Sequence, residues 1–389
     1  MTHKPATDAI HLGEGADPSA NPLTLPIYET TTYVFKDAAE VEAFQAGKSD
    51  RFLYSRYGNP TVIAVEKKLA AIEGGQVALL LSSGMAAVST AILSRVRAGD
   101  EVVCGSAVYG GTLHLLSDLL TRFGIVARFV DPAALSDPAT YSEKTKLAWF
   151  ESPINPTLRC VDIAAVARAC QARGVTSVID STFATPINQR PLDLGVDIVM
   201  HSATKYLNGH GDITAGVLVG SADAMKECAY ARKMMGTVLD PAAAYAVGRG
   251  LKSLSARMAV HNSNAMRLAE WFEQSDKVSR VYYPGLASHP DHAIARKQMP
   301  GGFGGMVCID LDGDYKRITR FFDRLQLFKR AASLGGTESL ISLPVLTSQY
   351  GHTDEQLTAA GVTRGMARLS VGLEDFEDLK EDLQQALAS

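Results

Sequence analysis

Between residues 77 and 219 short apolar runs alternate with amphipathic stretches, and this rhythm constrains the fold more than any other feature of the chain. The runs at 77–81, 101–104, 125–130, 147–150, 176–179, 196–200 and 216–219 read as buried strands. Helical patterns lie between them. One follows Asn59-Pro60, a cap and first-turn pair, with Val62, Val65, Leu69 and Ile72 on one face and a stop at Gly74-Gly75. Others open at Gly84, run through YGGTLHLLSDLLTRFG with Leu113, Leu116 and Leu120 in step, and span 162–173 before Gly174. Apolar strands alternating with amphipathic helices predict an α/β fold, a mostly parallel sheet covered on both faces. In such sheets ligands bind at the carboxyl ends of the strands.

The length, 389 residues, exceeds a typical single domain. Residues 1–52 are weakly periodic and interrupted by Pro18, Pro22 and Pro26, so they are expected to form an arm lying on a neighbouring subunit. Residues 53–250 are expected to form the large α/β domain. A long helix around 240–272, within an almost wholly helical stretch from 223 to 272, should lead into a smaller α+β domain at 251–389. That domain shows strands at 306–311 and 367–371 and a helix at 374–387.

A net charge of −4 gives no reason to expect nucleic acid or an anionic membrane as partner. No apolar run reaches the roughly 18 residues of a membrane span, and the first residues lack the apolar core of a secretory signal. A cytoplasmic enzyme is expected. Five dispersed cysteines, Cys104, Cys160, Cys170, Cys228 and Cys308, read as reduced thiols. His289 and His292 flank Pro290 without a cysteine or carboxylate cluster, so no metal site is expected.

The polar motifs cluster just after strands. In HSATKYLNGHGD, residues 201–212, two hydroxyls (Ser202, Thr204) and Lys205 follow an apolar run. Hydroxyls and main-chain N–H groups there can hold a phosphate, and a partly desolvated lysine can form a Schiff base with a carbonyl. Taken alone, the motif reads as a surface lysine in a polar turn, the fate of most lysines. Gly84 and Met85 open a helix directly after a strand, a seat for a phosphate or an ordinary cap. Asp180 ends TSVID, where it either caps a loop or holds a protonated heteroaromatic nitrogen. Tyr109 heads a helix, as a half-buried ring or one stacked on a flat cofactor. Asn155 offers an amide to a carboxylate or braces a proline-rich turn. Arg368 grips a carboxylate or forms an interdomain ion pair. Together these are the parts of a pyridoxal phosphate enzyme.

The chain resembles the cystathionine γ-synthase family of cysteine and methionine metabolism over essentially its whole length. The matching stretches are YSRYGNPT, LSSGMAA, VYGGT, FESPINPTLRCVDI, VIDSTFATPINQ, DIVMHSATKYLNGHGDITAG, SLGGTESL and ARLSVGLED. The resemblance implies the aspartate-aminotransferase-like fold (fold type I) with a seven-stranded-type sheet, and pyridoxal 5'-phosphate as cofactor. Lys205 would carry the Schiff base, Asp180 pair the pyridine nitrogen and Tyr109 stack on the ring. Gly84, Met85, Thr182, Ser202 and Thr204 would complete the cofactor site, with Tyr54 and Arg56 reaching in from a neighbouring subunit. Asn155, Ser333 and Arg368 would bind the α-carboxylate of a small amino-acid substrate. A homotetramer, a dimer of dimers with shared active sites, is implied.

Lys205 is then expected to move the α-proton and a β-proton so that a γ-substituent can leave, with Tyr109 assisting as acid or base. The resemblance covers γ-replacement and γ-elimination on homoserine-derived amino acids, the cystathionine γ-synthase and γ-lyase type. Methionine γ-lyase and O-acyl-homoserine sulfhydrylase are the alternatives, with cystathionine β-lyase and, from another class, an aminotransferase behind them. Gly111 stands where methionine γ-lyases commonly have a cysteine. Ala332 stands where many γ-synthases and γ-lyases carry a glutamate, and His114 where γ-lyases often have an arginine.

Overall fold

Residues 3–14, 20–351 and 353–388 are described in the computed structural model; Pro18, one of the three arm prolines, lies outside them. A seven-stranded sheet forms from β1 (Val77–Leu81), β2 (Glu101–Gly105), β3 (Val126–Val130), β4 (Thr145–Glu151), β5 (Thr176–Asp180), β6 (Ile198–His201) and β7 (Gly216–Gly220). Its order is β1-β7-β6-β5-β4-β2-β3. The pairings β2–β3, β2–β4, β4–β5 and β5–β6 are parallel, and β7 runs antiparallel to both β1 and β6. The sheet is therefore mostly parallel, as the alternation predicts.

Successive residues on each strand enter different cores, which is why the strands read as continuous apolar runs. Leu147, Trp149, Val178 and Met200 join one cluster, while Ala148, Phe150, Ile179 and Val199 join the other. Along the chain the helices are α1 (Pro5–His11), α2 (Ala38–Gln45), α3 (Pro60–Glu73), α4 (Gly84–Leu93), α5 (Gly110–His114), α6 (Ile163–Ala172) and α7 (Thr185–Asn188). The Asn59 side chain accepts from the N–H groups of Thr61 and Val62, and Gly74 ends α3 at φ 82°. Both ends match the expectation. Helix α1 packs on α3 within the same chain, where Glu14 pairs with Lys68 and Lys252.

Two helical expectations are corrected. The stretch after Tyr109 is not one uniform helix, because α5 widens into a π-type turn at Leu115–Leu119 and tightens into a 3-10 turn at Leu120–Phe123. These changes of pitch still bury Leu115, Leu116 and Leu120. The long helix expected around 240–272 is two, α9 (Pro241–Lys252) and α10 (Leu254–Glu273), and the helical stretch before it is a separate α8 (Ala222–Met235). Gly236, at φ 72°, ends α8, the Asp240 carboxylate caps α9, and Ser253 breaks the helical dihedrals before α10. No helix among the described residues is long and apolar enough to cross a membrane.

The remaining chain builds a five-stranded sheet, β8 (Arg280–Tyr282), β9 (Met306–Asp310), β10 (Lys329–Arg330), β11 (Leu340–Ser342) and β12 (Met366–Ser370). Its order is β10-β11-β12-β9-β8. Helices α11 (His292–Gln298), α12 (Tyr315–Arg324), α13 (Asp354–Ala359) and α14 (Phe376–Leu387) accompany it. A separate apolar cluster joins α10, α12 and α14 to this sheet. Strands β8, β10 and β11, two or three residues long, were too short for the sequence pattern to reveal.

Arg257 of α10 ties the helix to the loop after β6. Its guanidinium donates to the carbonyl oxygens of Tyr206 (2.7 Å), Leu207 (3.4 Å) and Gly250 (2.8 Å). It pairs with no carboxylate among the described residues, and burial pulls its pKa down to about 10. A Cβ at Gly209 (φ 76°) would lie 2.2 Å from the same guanidinium, so the turn needs glycine there. Arg257→Met should strand these carbonyls and lower unfolding stability by about 2–4 kcal/mol, read as a lower urea midpoint. Arg257→Lys should recover little, because one ammonium does not span the fork. An unchanged midpoint in the methionine variant would refute this role.

Candidate active site

The strand ends supply the first part of the site. Glu151 on β4 stands opposite Asp180 on β5, and Asp180 opposite Met200 on β6, so Glu151, Asp180 and His201 lie along one carboxyl edge. Asp180 accepts the Thr182 N–H at 2.9 Å. The Thr182 hydroxyl oxygen in turn accepts the Ser202 N–H at 2.8 Å. Glu151 accepts the Tyr109 N–H at 2.5 Å. Behind this edge the buried His201 and Glu73 side chains are 2.8 Å apart. Burial raises the Asp180 pKa, opposed by its bonds from Thr182 and by His201. Burial and the neighbouring Asp180 push the Glu151 carboxyl well above the carboxylate range.

The cations enter from the other side. Lys205 sits in the turn after β6, and its Nζ donates to the Ser333 hydroxyl at 2.9 Å. Arg368, on β12 of the second sheet, donates through Nη1 to the Asn155 amide oxygen at 3.0 Å and through Nη2 to the Ser333 carbonyl at 3.3 Å. Its Nε is buried without an acceptor. Burial, then the Arg368 charge, lowers the Lys205 pKa below that of a free lysine. The amine is thereby biased toward its neutral, nucleophilic form.

Close backbone approach builds the third part. Ser83 caps α4 by accepting the Ala86 N–H at 3.0 Å. A Cβ at Gly84 would sit 3.0 Å from the Ser202 hydroxyl, and one at Gly216 only 2.2 Å from the Ser83 carbonyl oxygen. Small residues thus let the α4 N-terminus and the Ser202 turn converge, in an arrangement suited to an anion. The Thr204 hydroxyl is bonded to the Ala215 main chain. A Cβ at Gly111 would lie 2.6 Å from the Tyr109 ring and 2.8 Å from the Met85 sulfur, so the ring lies close over that glycine.

Gly84, Met85, Tyr109, Asn155, Asp180, Thr182, Ser202, Thr204, Lys205 and Arg368 all line one cleft of about 240 Å³. Ser333 joins them through its bond to Lys205. Tyr54 and Arg56 do not line this cleft; they lie exposed before α3, with the Arg56 guanidinium 5.5 Å from the Tyr54 ring centre. Sequence reasoning passed over Glu151, although its place at the end of a strand beside the one ending in Asp180 was a usable signal. A larger cavity of about 500 Å³ lies past Ile154, beside the Arg159–Asp291 ion pair, and no lysine lines it. The His289 and His292 rings are hydrogen-bonded to main-chain groups, through the Asp291 N–H and the Pro284 carbonyl.

The sequence model of the Cys/Met metabolism PLP-dependent enzyme family matches residues 6–388. The chain is 43% identical to L-methionine γ-lyase of Pseudomonas putida over 385 residues, spanning 98% of this chain and 96% of that protein. It is 42% identical over 382 residues to cystathionine γ-synthase 1, chloroplastic, of Arabidopsis thaliana, spanning 97% of this chain and 68% of that protein. The fold matches the crystal structure of metB from Corynebacterium glutamicum with a TM-score of 0.92 at 36% identity, covering 99% and 98% of the two chains.

The electrostatics of the lysine are open to direct measurement. Arg368→Met removes a neighbouring positive charge, so protonated Lys205 is better tolerated and its pKa rises. The pH profile of Lys205 labelling by an aldehyde and borohydride, read by peptide mass, should therefore shift to higher pH in that variant. A shift to lower pH would contradict the assignment.

Proposed function

The chain belongs to the Cys/Met metabolism PLP-dependent enzyme family, and from that premise we propose that it catalyses trans-sulfuration chemistry at the γ-carbon of homoserine-derived amino acids. The observation that carries the proposal is the convergence of Lys205, the Glu151–Asp180 pair, the α4 N-terminus and Arg368 on one cleft. These residues fit pyridoxal phosphate. The carboxyl pair, Glu151 buried and Asp180 half-buried, has no bonded cation among the described residues, which suits a protonated ring nitrogen. The crowded space at Gly84 and Ser202 suits the phosphate. The orphaned Nε of Arg368 suits a substrate carboxylate.

When bound, the cofactor supplies an electron sink that makes the substrate's α- and β-protons acidic. Lys205 would hold its aldehyde, and Asp180 would hold the pyridine nitrogen. The Tyr109 ring would stack on the pyridine, with Gly84, Met85, Thr182, Ser202 and Thr204 completing the cofactor seat. Arg368, Asn155 and Ser333 would fix the substrate's α-carboxylate, orienting the α-hydrogen toward the Lys205 amine. A neutral Lys205 Nζ can accept the α-proton and then move one at the β-carbon, which is what departure of a γ-substituent requires. Tyr109 would assist as acid or base at the departing group.

The distal wall favours a second reading. Ala332, Leu334 and Phe183 line the cleft there, and apart from Glu151 every charged side chain lining it already has a role at the cofactor or the α-carboxylate. With alanine at 332 instead of glutamate, the described residues lining the cleft offer no carboxylate beyond the Glu151–Asp180 pair for a distal ammonium. Methionine, or an O-acyl-homoserine with sulfide, is the alternative substrate. A cysteine at position 111 would strike the Tyr109 ring as placed, which weighs against the methionine γ-lyase arrangement. Cystathionine β-lyase and an aminotransferase are the more distant readings.

We also place Tyr54 and Arg56 in a neighbouring subunit's site, within a homotetramer built as a dimer of dimers. The nearby arm carries Leu23 and Val34 at 91% and 88% exposure, apolar surface that a second subunit would cover. The five free, buried cysteines suit a reducing compartment, in keeping with the cytoplasm.

Purified protein supplied with pyridoxal phosphate should release 2-ketobutyrate, or form a γ-replacement product, from at least one of cystathionine, methionine and O-acyl-homoserines with cysteine or sulfide. Lys205→Ala should lower kcat at least about 10³-fold. Pyruvate alone from cystathionine would overturn the γ-carbon assignment. Sharing of sites has its own test. Lys205→Ala and Arg56→Ala subunits, each inactive alone, should regain activity when co-expressed, since a hybrid dimer holds one intact site. Hybrids as inactive as the parents would reject shared sites.

A further inference from the structure

Glu151 is a buried carboxyl that the proposed chemistry leaves without a task. We propose that Glu151 stands as the neutral acid beside the Asp180 carboxylate and is a positioning residue that ties the Tyr109 main chain to the sheet without adding a second negative charge. Strands β4 and β5 are parallel and place Glu151 directly opposite Asp180, at the spacing of neighbouring strands, about 4.8 Å. Both residues line the same cleft. Two carboxylates that close, out of water, do not both ionise; one keeps a proton.

The surroundings decide which one. Asp180 receives the Thr182 N–H, and the Thr182 side chain and His201 both favour its charged form. Among the described residues Glu151 receives only the Tyr109 N–H. The group packed behind it on β2 is the buried Cys104, a neutral thiol whose own ionisation Glu151 opposes. The cations across the cleft are otherwise engaged, Lys205 with Ser333 and Arg368 with Asn155 and Ser333. Every asymmetry favours charge on Asp180 and the proton on Glu151. The bond to Tyr109 uses Oε1 as acceptor and leaves Oε2 for the proton.

The consequence for the cofactor rests on the pyridoxal phosphate reading. Asp180 would be the single anion at the pyridine nitrogen, and Glu151 would hold the start of α5, hence the Tyr109 ring, at a fixed height above it. Glu151→Gln is the deciding variant, because it keeps the shape and an acceptor oxygen but has no acidic proton. In the holoenzyme at neutral pH, the infrared carbonyl band of a protonated carboxyl should be present in wild type and absent in Glu151→Gln. The Tyr109 amide should be protected from hydrogen exchange in both. The variant should retain pyridoxal phosphate through dialysis within about threefold of wild type, whereas Asp180→Asn should lose it at least about tenfold faster, one power of ten being about 1.4 kcal/mol. A missing band in wild type, an unprotected Tyr109 amide, or tenfold faster cofactor loss from Glu151→Gln would each overturn the proposal. The band and the amide report on Glu151 even if no cofactor binds, so failure here is distinguishable from failure of the cofactor reading.

Discussion

Removal of charge from water at the carboxyl edge of the seven-stranded sheet is the constraint on which the site depends. Glu151 and Asp180 come from adjacent parallel strands, while Lys205 and Arg368 come from the β6 turn and the second sheet. Burial shifts all four, the carboxyls upward and the lysine and arginine downward. No bond joins a cation directly to a carboxylate here; each cation is bonded to neutral oxygen instead. The cleft therefore has a negative end and a positive end, held apart by the fold. A ligand with a cationic ring nitrogen at one end and a carboxylate at the other would satisfy both, which neither end can do for the other.

Holding those ends apart depends on backbone contacts that tolerate no side chain. Gly335, at φ 73°, brings the loop between β10 and β11 so near that a Cβ would be 2.7 Å from the backbone nitrogen of Tyr206, the residue after Lys205. Its own N–H is fixed by the Ser370 hydroxyl at 2.9 Å. That contact delivers Ser333 to the lysine. On the opposite wall, Gly84 and Gly216 let α4 and β7 close on the Ser202 turn. Arg257 then braces the loop from behind, so the position of Lys205 is set by two sheets and one long helix together.

Much of this was legible in the sequence, for a physical reason. A parallel sheet buried on both faces writes its strands as apolar runs, and ligand-facing residues follow them directly, so Lys205, Asp180 and Asn155 announced themselves. Glu151 did not, because its significance lies in register with Asp180, and register is not written in either strand alone. Arg257 was equally silent. Its partners are carbonyl oxygens of residues 206, 207 and 250, and carbonyls carry no side-chain signature. The two helices α9 and α10 read as one around 240–272 because the break between them is a single serine. Tyr54 and Arg56 were picked out by motif, but the single chain leaves them away from its own cleft.

What the family machinery leaves open is the reaction, and the reason is again local. Identities of 43% and 42% to a methionine γ-lyase and a cystathionine γ-synthase weigh nearly equally, since both chemistries need the same lysine, ring partner and carboxylate clamp. The choice falls to the few side chains beyond the α-carbon. Here the cleft wall at Ala332 and Leu334 is apolar and carries no charge to meet a distal ammonium. His114, at the end of α5, is exposed and contributes nothing to that wall. A substrate with charges at its far end would have to leave them in water or meet groups from another subunit. A short, uncharged γ-substituent would lose no solvation on entering. On the proposed function, substrate choice in this chain would be governed less by what the cleft binds than by the charge it declines to desolvate.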